Sequence, residues 1–175
     1  MKDLHQALKD CGALQFGDFT LASGAKSKYY IDIKKASTDP KVLKLIAEKM
    51  AAQLKEMDLK VDRIAGIVLG SIPLATALAL ETGIPYVMVR KEKKDHGTGK
   101  LIEGTLNEGE KVLVVEDVIT SAGSSVVSIK TLREAGAVVE DVFSVIDREA
   151  GGTEALKEIG VRFTPLVKAS QLLEQ

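Results

Sequence analysis

The most informative stretch of this 175-residue chain is Val112-Leu-Val-Val-Glu-Asp-Val-Ile-Thr-Ser-Ala-Gly-Ser-Ser125. Its four apolar residues, three of them β-branched, predict a buried strand. Two adjacent carboxylates, Glu116 and Asp117, follow that strand, and a loop of small and hydroxylated residues comes next. The carboxyl ends of strands are where open α/β sheets bind their ligands, so this turn is a candidate site.

A helix is predicted after this loop, over Ser124 to Ala135. Val126, Ile129 and Leu132 share one helical face, and Gly136 supplies the stop. We expect Ser124 or Ser125 to cap the N-terminus of this helix. The first N–H groups of a helix have no partner within it and carry the positive end of its dipole, which suits a phosphate.

Strands and helices alternate along the rest of the chain. Further strands are predicted at Ile64 to Leu69, Pro85 to Val89 and Val138 to Ile146, and helices at Pro40 to Met57 and Pro73 to Glu81. This alternation predicts an α/β fold with a parallel sheet flanked by helices.

The N-terminal part follows a different pattern. A short helix over Leu4 to Cys11 precedes two strand-like segments, Phe19 to Ala22 and Tyr29 to Ile33. We interpret residues 1–35 as a small hood on one domain that spans residues 1–175. The last 25 or so residues carry no clear pattern.

Composition excludes several classes of function. The 24 basic and 25 acidic residues nearly balance, so nothing indicates a nucleic-acid partner. No apolar run reaches the roughly 18 residues of a membrane span, and the polar N-terminus does not resemble a secretory signal. Cys11 is the only cysteine, which excludes an internal disulfide and fits a cytoplasmic protein.

The stretch from Val112 to Ser125 resembles the PRPP-binding motif of type I phosphoribosyltransferases. This resemblance implies that Glu116 and Asp117 hold the ribose hydroxyls of PRPP, with Asp117 counted as catalytic. The implied contacts to the 5′-phosphate are Val118, Ile119, Thr120, Ser121, Ala122, Gly123 and Ser124. It also implies Mg²⁺ as a cofactor, held mainly by PRPP, with no protein ligand certain. The alternative is an ordinary strand with an acidic turn and a capped helix.

Residues 91–107 form the least regular segment and are predicted to be a flexible active-site loop. Its start resembles the loop of orotate phosphoribosyltransferases, whose Arg-Lys-x-x-Lys-x-His-Gly pattern is matched by Arg90, Lys91, Lys94, His96 and Gly97. The resemblance implies that this loop closes over pyrophosphate and serves the neighbouring subunit's site, which requires a homodimer. Lys94 and His96 are the candidates for catalysis at the leaving group. A solvated basic loop with an idle histidine is the alternative.

Two further resemblances concern the base. Phe19 to Asp32 is similar to the N-terminal signature of the orotate family, which implies orotate contacts near Tyr30 and Ile31. The alternative is a hairpin with core tyrosines.

Arg148 and Thr120 match family positions that contact orotate. A guanidinium donates two parallel hydrogen bonds to a planar carboxylate, as such a role needs. A surface salt bridge from Arg148 to Asp147 or Glu149 is the alternative.

One segment departs from the family pattern. Gly66 to Ala75 resembles the pyrophosphate-side loop, where many members have two glycines and this chain has Gly70-Ser71. Some bacterial members carry lysines at the positions of Gly70 and Ala22. Which residues of this chain compensate for these absent lysines is left open.

The expected activity is that of an orotate phosphoribosyltransferase in UMP biosynthesis. The products of PRPP and orotate are then orotidine 5′-monophosphate and pyrophosphate. A purine phosphoribosyltransferase and a non-catalytic PRPP-sensing regulator are the alternatives.

Overall fold

The computed structural model describes residues 3–21, 23–93, 95–97 and 99–173. The helices among these residues are α1 (Leu4–Asp10), α2 (Ile33–Ser37), α3 (Pro40–Glu56), α4 (Ile72–Thr82), α5 (Gly123–Glu134), α6 (Gly152–Glu158) and α7 (Ala169–Leu173). The strands are β1 (Leu14–Thr20), β2 (Lys26–Ile31), β3 (Arg63–Ile67), β4 (Tyr86–Val89), β5 (Ile102–Glu103), β6 (Lys111–Ile119), β7 (Val138–Asp147) and β8 (Arg162–Lys168).

A six-stranded sheet with the order β5-β4-β3-β6-β7-β8 forms the centre of the fold. Strands β4, β3, β6, β7 and β8 run parallel, and only β5 pairs in the antiparallel sense. The predicted parallel sheet flanked by helices is therefore confirmed. Strand β6, which carries the acidic pair, lies between β3 and β7.

Both faces of β6 are covered. Leu113 and Val115 belong to the apolar cluster that contains α3 and α4, whereas Val112 and Val114 belong to the cluster that contains α5. Side chains of a strand alternate between its two faces, so an unbroken apolar run is what a doubly covered strand needs. The prediction of a buried strand here is correct.

The hood residues form an antiparallel hairpin of β1 and β2. The pairing runs from Leu14 opposite Ile31 to Thr20 opposite Lys26, with an irregularity between Phe16 and Phe19. The first strand thus begins five residues before the predicted Phe19. The alternation of apolar and polar residues is poor in this segment, since Phe16 is largely exposed and Gly17 interrupts the pattern. The sequence pattern therefore gave no clear start for β1.

Three expectations differ from the structure. Strand β6 continues through the acidic pair to Ile119, because it keeps pairing with β7 as far as Asp147. Neither Ser124 nor Ser125 caps α5: Ala122 occupies the N-cap position with φ 67°, and no side chain caps the helix. The C-terminal segment without a clear pattern contains α6, β8 and α7. Among the residues that the structure describes, none of the helices has both the length and the apolar character needed to cross a membrane.

Candidate active site

The candidate site lies at the carboxyl edge of the sheet. Strands β3, β6 and β7 are parallel, so the turn after Ile67, the loop after Ile119 and the residue after Asp147 emerge at one edge. The start of the basic loop, at Arg90, leaves β4 at the same edge. The topology therefore gathers the motifs that the sequence singled out.

The start of α5 offers an anion cradle. Because no side chain caps this helix, its first N–H groups are not taken by a capping oxygen. Thr120, Ser121 and Ser124 are exposed around it, so their hydroxyls are accessible to a ligand. Ile119 and Ala122 have buried side chains, so they can offer only backbone groups.

Glu116 is buried, with 6% of its surface exposed. Its Oε2 accepts a hydrogen bond from the Ser71 hydroxyl at 3.0 Å, and its Oε1 accepts one from the Ser125 hydroxyl at 2.7 Å. Burial raises the pKa of Glu116 to about 7, and the neighbouring charge of Asp117 adds to this rise. The two serine hydrogen bonds and the charge of Lys91 act in the opposite direction. Glu116 is thus engaged by protein groups on both oxygens.

Asp117 is half-buried and faces the turn after β3. Its Oδ1 accepts a hydrogen bond from the backbone N–H of Val118 at 2.8 Å. A Cβ atom added at Gly70 would overlap Oδ2 of Asp117. Gly70 therefore leaves room for this carboxylate, and the N–H of Val118 is already used within the protein.

Arg90 is held at the base of the basic loop. Its backbone N–H donates to the Leu101 carbonyl at 2.7 Å, and its Nε lies 3.0 Å from Oε1 of Glu103. Lys91 and His96 are exposed. Lys94 lies outside the described residues, as does Ala22.

The candidate orotate residues meet where β6 and β7 end. The backbone N–H of Arg148 donates to the Ile119 carbonyl at 2.9 Å, which sets Arg148 beside Thr120. The Arg148 guanidinium lies over the ring of Tyr29, 5.3 Å from its centroid. Tyr30 is the neighbouring residue on β2, 44% exposed, and its ring packs against Phe19. Ile31 is half-buried at the end of the same strand.

The alternative role of Arg148, a surface salt bridge to Asp147 or Glu149, is not seen among the residues that the structure describes. Asp147 accepts a hydrogen bond from the backbone N–H of Glu149, and Glu149 accepts one from that of Ser170. Within the described ranges, no ion pair involves Arg148. Its guanidinium is consequently available for an anionic ligand.

The side chains of the candidate site do not suit a metal ion that is held by protein ligands alone. The described residues contain no group of three or more His, Cys, Asp or Glu side chains able to hold a metal ion. Both oxygens of Glu116 are engaged, which leaves Asp117 as the accessible carboxylate. Mg²⁺ prefers six oxygen ligands, so an ion here would take most of them from a phosphate-bearing ligand and water.

Sequence reasoning missed several residues that shape this site. Ser71 and Tyr29 lie in segments that the sequence singled out, but their contacts with Glu116 and Arg148 were not predicted, because these contacts join elements distant in the chain. Glu103 and Gly152 were overlooked for the same reason. A Cβ atom at Gly152 would lie 2.9 Å from the Thr120 carbonyl oxygen, so α6 packs directly under the loop.

Comparisons with known proteins agree with this geometry. Residues 34–163 match the Phosphoribosyl transferase domain family. The chain is 55% identical to an orotate phosphoribosyltransferase of Methanosarcina mazei over 173 residues, which are 99% of this chain and 91% of that protein.

Solved structures give the same result. An orotate phosphoribosyltransferase from Aeropyrum pernix superposes with a TM-score of 0.87 at 34% identity, covering 98% of this chain and 97% of that one. The enzyme of Mycobacterium tuberculosis H37Rv in complex with PRPP gives a TM-score of 0.80 at 29% identity, covering 97% and 96%. The chain therefore belongs to the orotate phosphoribosyltransferase family.

Proposed function

We propose that this protein transfers ribose 5-phosphate from PRPP to orotate, giving orotidine 5′-monophosphate and pyrophosphate in UMP biosynthesis. The proposal rests on one observation: Arg148 and the uncapped start of α5 lie at the same edge of the sheet. Within the described ranges, no ion pair involves Arg148. A planar carboxylate suits the guanidinium of Arg148, and a phosphate suits the start of α5. Orotate and PRPP supply these two anions.

The reaction is a displacement at the anomeric carbon of PRPP. A ring nitrogen of orotate loses its proton to solvent and forms the new bond to this carbon, while the bond to pyrophosphate breaks and its electron pair leaves on the pyrophosphate oxygen. The loop after β6, from Thr120 to Ser124, binds the 5′-phosphate, and Asp117 accepts hydrogen bonds from the ribose hydroxyls. Catalysis on this scheme is mainly orientation and charge stabilisation.

A bound Mg²⁺ would be held mainly by PRPP and water and would offset the negative charge of the phosphates. Asp117 is the carboxylate of the site that would be best placed to contact the shell of the ion. The chain's own cations act on the leaving group: Arg90 and Lys91 bind pyrophosphate, Lys94 stabilises its charge, and His96 donates a proton to it.

The protein is proposed to be a cytoplasmic homodimer in which the basic loop serves the partner's site. A mixture of Lys94→Ala and Asp117→Ala proteins tests this under subunit exchange. Each variant alone is expected to be inactive, and verified heterodimers should regain activity, because one site then has both groups intact. Heterodimers without activity would show that loop and site come from the same subunit.

The base that the protein accepts distinguishes an orotate phosphoribosyltransferase from a purine phosphoribosyltransferase. Purified protein, PRPP and Mg²⁺ should convert orotate to orotidine 5′-monophosphate, identified by chromatography against an authentic standard. Adenine, guanine and hypoxanthine should give no product, since a purine base has no carboxylate for Arg148. Turnover of a purine without turnover of orotate would overturn the proposed function.

A further inference from the structure

The segment after β7, which carries Arg148, is tied to the sheet on one side only. The backbone N–H of Arg148 donates to the Ile119 carbonyl at 2.9 Å, which connects the segment to the end of β6. On the other side, the parallel pairing of β7 with β8 ends at Asp147 opposite Lys168. Beyond this pair the two segments separate, because one leads to α6 and the other begins α7. The backbone of Arg148 therefore lies just past the last pairing with β8.

The side chain of Glu149 bridges this gap. Its Oε2 accepts a hydrogen bond at 2.7 Å from the backbone N–H of Ser170, which lies in the first turn of α7. The pKa of Glu149 lies below its usual value, mainly because of this bond, so the acceptor is an ionised carboxylate at neutral pH. The segment that carries Arg148 is thus connected to α7 as well as to β6.

The start of α7 depends on this outside acceptor. Lys168, the residue before the helix, has a side chain that can only donate. Gln171 supplies one half of a capping box, since its Oε1 accepts from the backbone N–H of Lys168 at 2.8 Å. Glu149 supplies the other half, and its negative charge suits the positive end of the helix. Leu172 is fully buried in the core cluster, so α7 is a firm anchor for Glu149.

The backbone of Glu149 adopts a conformation that needs such support. Its φ is 55°, in the left-handed region that residues other than glycine rarely adopt. Conformations of this kind persist only where the surroundings fix them. Here the N–H of Glu149 donates to Oδ1 of Asp147 at 2.8 Å, and its carboxylate binds Ser170. These two bonds together set the course of the chain around Arg148.

The inference from this geometry rests on the proposed function, in which the Arg148 guanidinium binds the carboxylate of orotate. We propose that Glu149 is a positioning residue for orotate, whose bond to Ser170 fixes the backbone after β7 and so holds the guanidinium of Arg148 in line with that carboxylate. A bidentate pair needs two nitrogens aligned with two oxygens, so a small backbone shift weakens it.

The charge of Glu149 acts in the opposite direction to this positioning. A carboxylate beside Arg148 repels an anionic base, so removal of the charge alone should strengthen orotate binding. Loss of the bond to Ser170 should instead weaken it. The sign of the effect therefore distinguishes a positioning role from a purely electrostatic one.

Initial rates at varied orotate and PRPP concentrations measure this sign. Glu149→Ala should raise the KM for orotate about tenfold and leave the KM for PRPP within about twofold, because the bond to Ser170 is lost while the start of α5 is untouched. Glu149→Gln keeps the length and an acceptor oxygen, so it should stay within about twofold of the parent.

Two further variants separate charge from reach. Glu149→Asp keeps the charge and tolerates the left-handed backbone, but its side chain is one methylene too short to maintain the bond to Ser170. It should raise the KM for orotate about fivefold, whereas charge alone predicts no change. Glu154→Ala is the matched control, since Glu154 is exposed on α6 and makes no side-chain hydrogen bond or ion pair within the described ranges. It should not raise the KM for orotate.

A double-mutant cycle shows whether Glu149 acts through Arg148. In an Arg148→Ala background, the further change Glu149→Ala should raise the KM for orotate by less than about twofold, since no guanidinium remains to be positioned. A further rise of about tenfold would mean that Glu149 acts on orotate by another route, and would overturn the proposal.

The outcomes separate the positioning role from the proposed function. An unchanged or lower KM for orotate in Glu149→Ala would overturn the positioning role, and so would an equal rise in the KM for PRPP, which would mean that Glu149 only supports the fold. If thermal melting shows that Glu149→Ala does not fold, Glu149→Asp decides by the same criteria. A parent protein that binds PRPP but does not consume orotate would overturn the proposed function itself.

Discussion

The guanidinium carbon of Arg148 lies 5.3 Å from the centroid of the Tyr29 ring, so a residue that follows β7 is covered by the N-terminal hairpin. A cation over an aromatic face is stabilised by about 0.5–2 kcal/mol, depending on how well water is excluded. The contact holds the guanidinium where a planar carboxylate can bind it. The hairpin thus contributes to the proposed base site through a side chain that the sequence had not indicated.

Removal of the Tyr29 ring should weaken orotate binding. We expect Tyr29→Leu to raise the KM for orotate about three- to tenfold, the equivalent of the lost cation–π contact, while the KM for PRPP changes little. Tyr29→Phe keeps the ring and should behave like the parent. Phe16→Leu is the control from the same hairpin, because the Phe16 ring is largely exposed and contacts Lys9. An equal effect of Tyr29→Leu and Phe16→Leu would mean that the hairpin acts only as a fold element.

The Arg90–Glu103 pair should orient Arg90 for pyrophosphate. In the part of the chain that the structure describes, Glu103 accepts from Nε of Arg90 alone, which leaves the two terminal nitrogens of Arg90 for a ligand. We expect Arg90→Ala to raise the KM for PRPP about thirtyfold and Glu103→Ala about threefold, since a partly exposed ion pair contributes less than a bond to phosphate.

Initial rates at varied PRPP concentration measure both effects. Glu92→Ala removes the same charge from the exposed part of the loop and should leave the KM for PRPP unchanged. A lower KM for PRPP in Glu103→Ala would contradict an orienting role, because it would mean that Glu103 competes with the substrate for Arg90.

Glu116 should make the stability of the protein depend on pH. Burial raises its pKa from 4.5 to about 7, so the folded state holds the proton more tightly than the unfolded state. Its contribution is therefore fully favourable below pH 4.5 and is lost as the pH rises through 7, a difference of about 3 kcal/mol. Asp117 and Lys91 are the other charged groups that act on it.

Urea unfolding at pH 5 and pH 8 measures this dependence. Glutamine resembles the protonated carboxyl, so Glu116→Gln should gain up to about 3 kcal/mol relative to the parent between pH 5 and pH 8. Asp117→Asn removes the neighbouring carboxylate and should show a much smaller change. The same difference between parent and Glu116→Gln at both pH values would refute a raised pKa.

Gly152 should be intolerant of a side chain. A Cβ atom there would lie 2.5 Å from Cγ2 of Ile119 and 2.9 Å from the Thr120 carbonyl oxygen, so α6 or the loop must move. We expect Gly152→Ala to lower the free energy of unfolding by about 1–3 kcal/mol and to raise the KM for PRPP. Thr153→Ala is the control, since Thr153 is exposed on the same helix. Unchanged kinetics in Gly152→Ala would show that the loop tolerates the shift.

The sheet could be predicted from the sequence because its strands are buried on both faces. The runs at Ile64, Pro85 and Val112 are free of charged residues, and the run at Val138 is interrupted only by Glu140, Asp141 and Ser144. The helices between the strands have clear periodicity. The C-terminal β8 was missed: it contains Pro165 and lies at the sheet edge, where half-exposed positions break the apolar pattern.

The site could be predicted only in part. A local motif such as Val112 to Ser125 indicates its own chemistry, and the parallel order of β3, β6 and β7 brings such motifs to one edge. The contacts Ser71–Glu116 and Tyr29–Arg148 join residues 45 and more than 100 positions apart, and no local pattern encodes them. The capping prediction for Ser125 was wrong because α5 begins at Gly123, which puts Ser125 inside the first turn, where its hydroxyl donates to Glu116.

The most direct test of the account is the loss of orotate ultraviolet absorbance after PRPP and Mg²⁺ are added, with Arg148→Ala in parallel. The parent should consume orotate, and Arg148→Ala should need about a hundredfold more orotate for the same rate, because it loses a bidentate charged pair. Thermal melting of both proteins controls for folding. Equal rates for the two proteins, or no orotate consumption by a parent that binds PRPP, would contradict the assignment of orotate to this site.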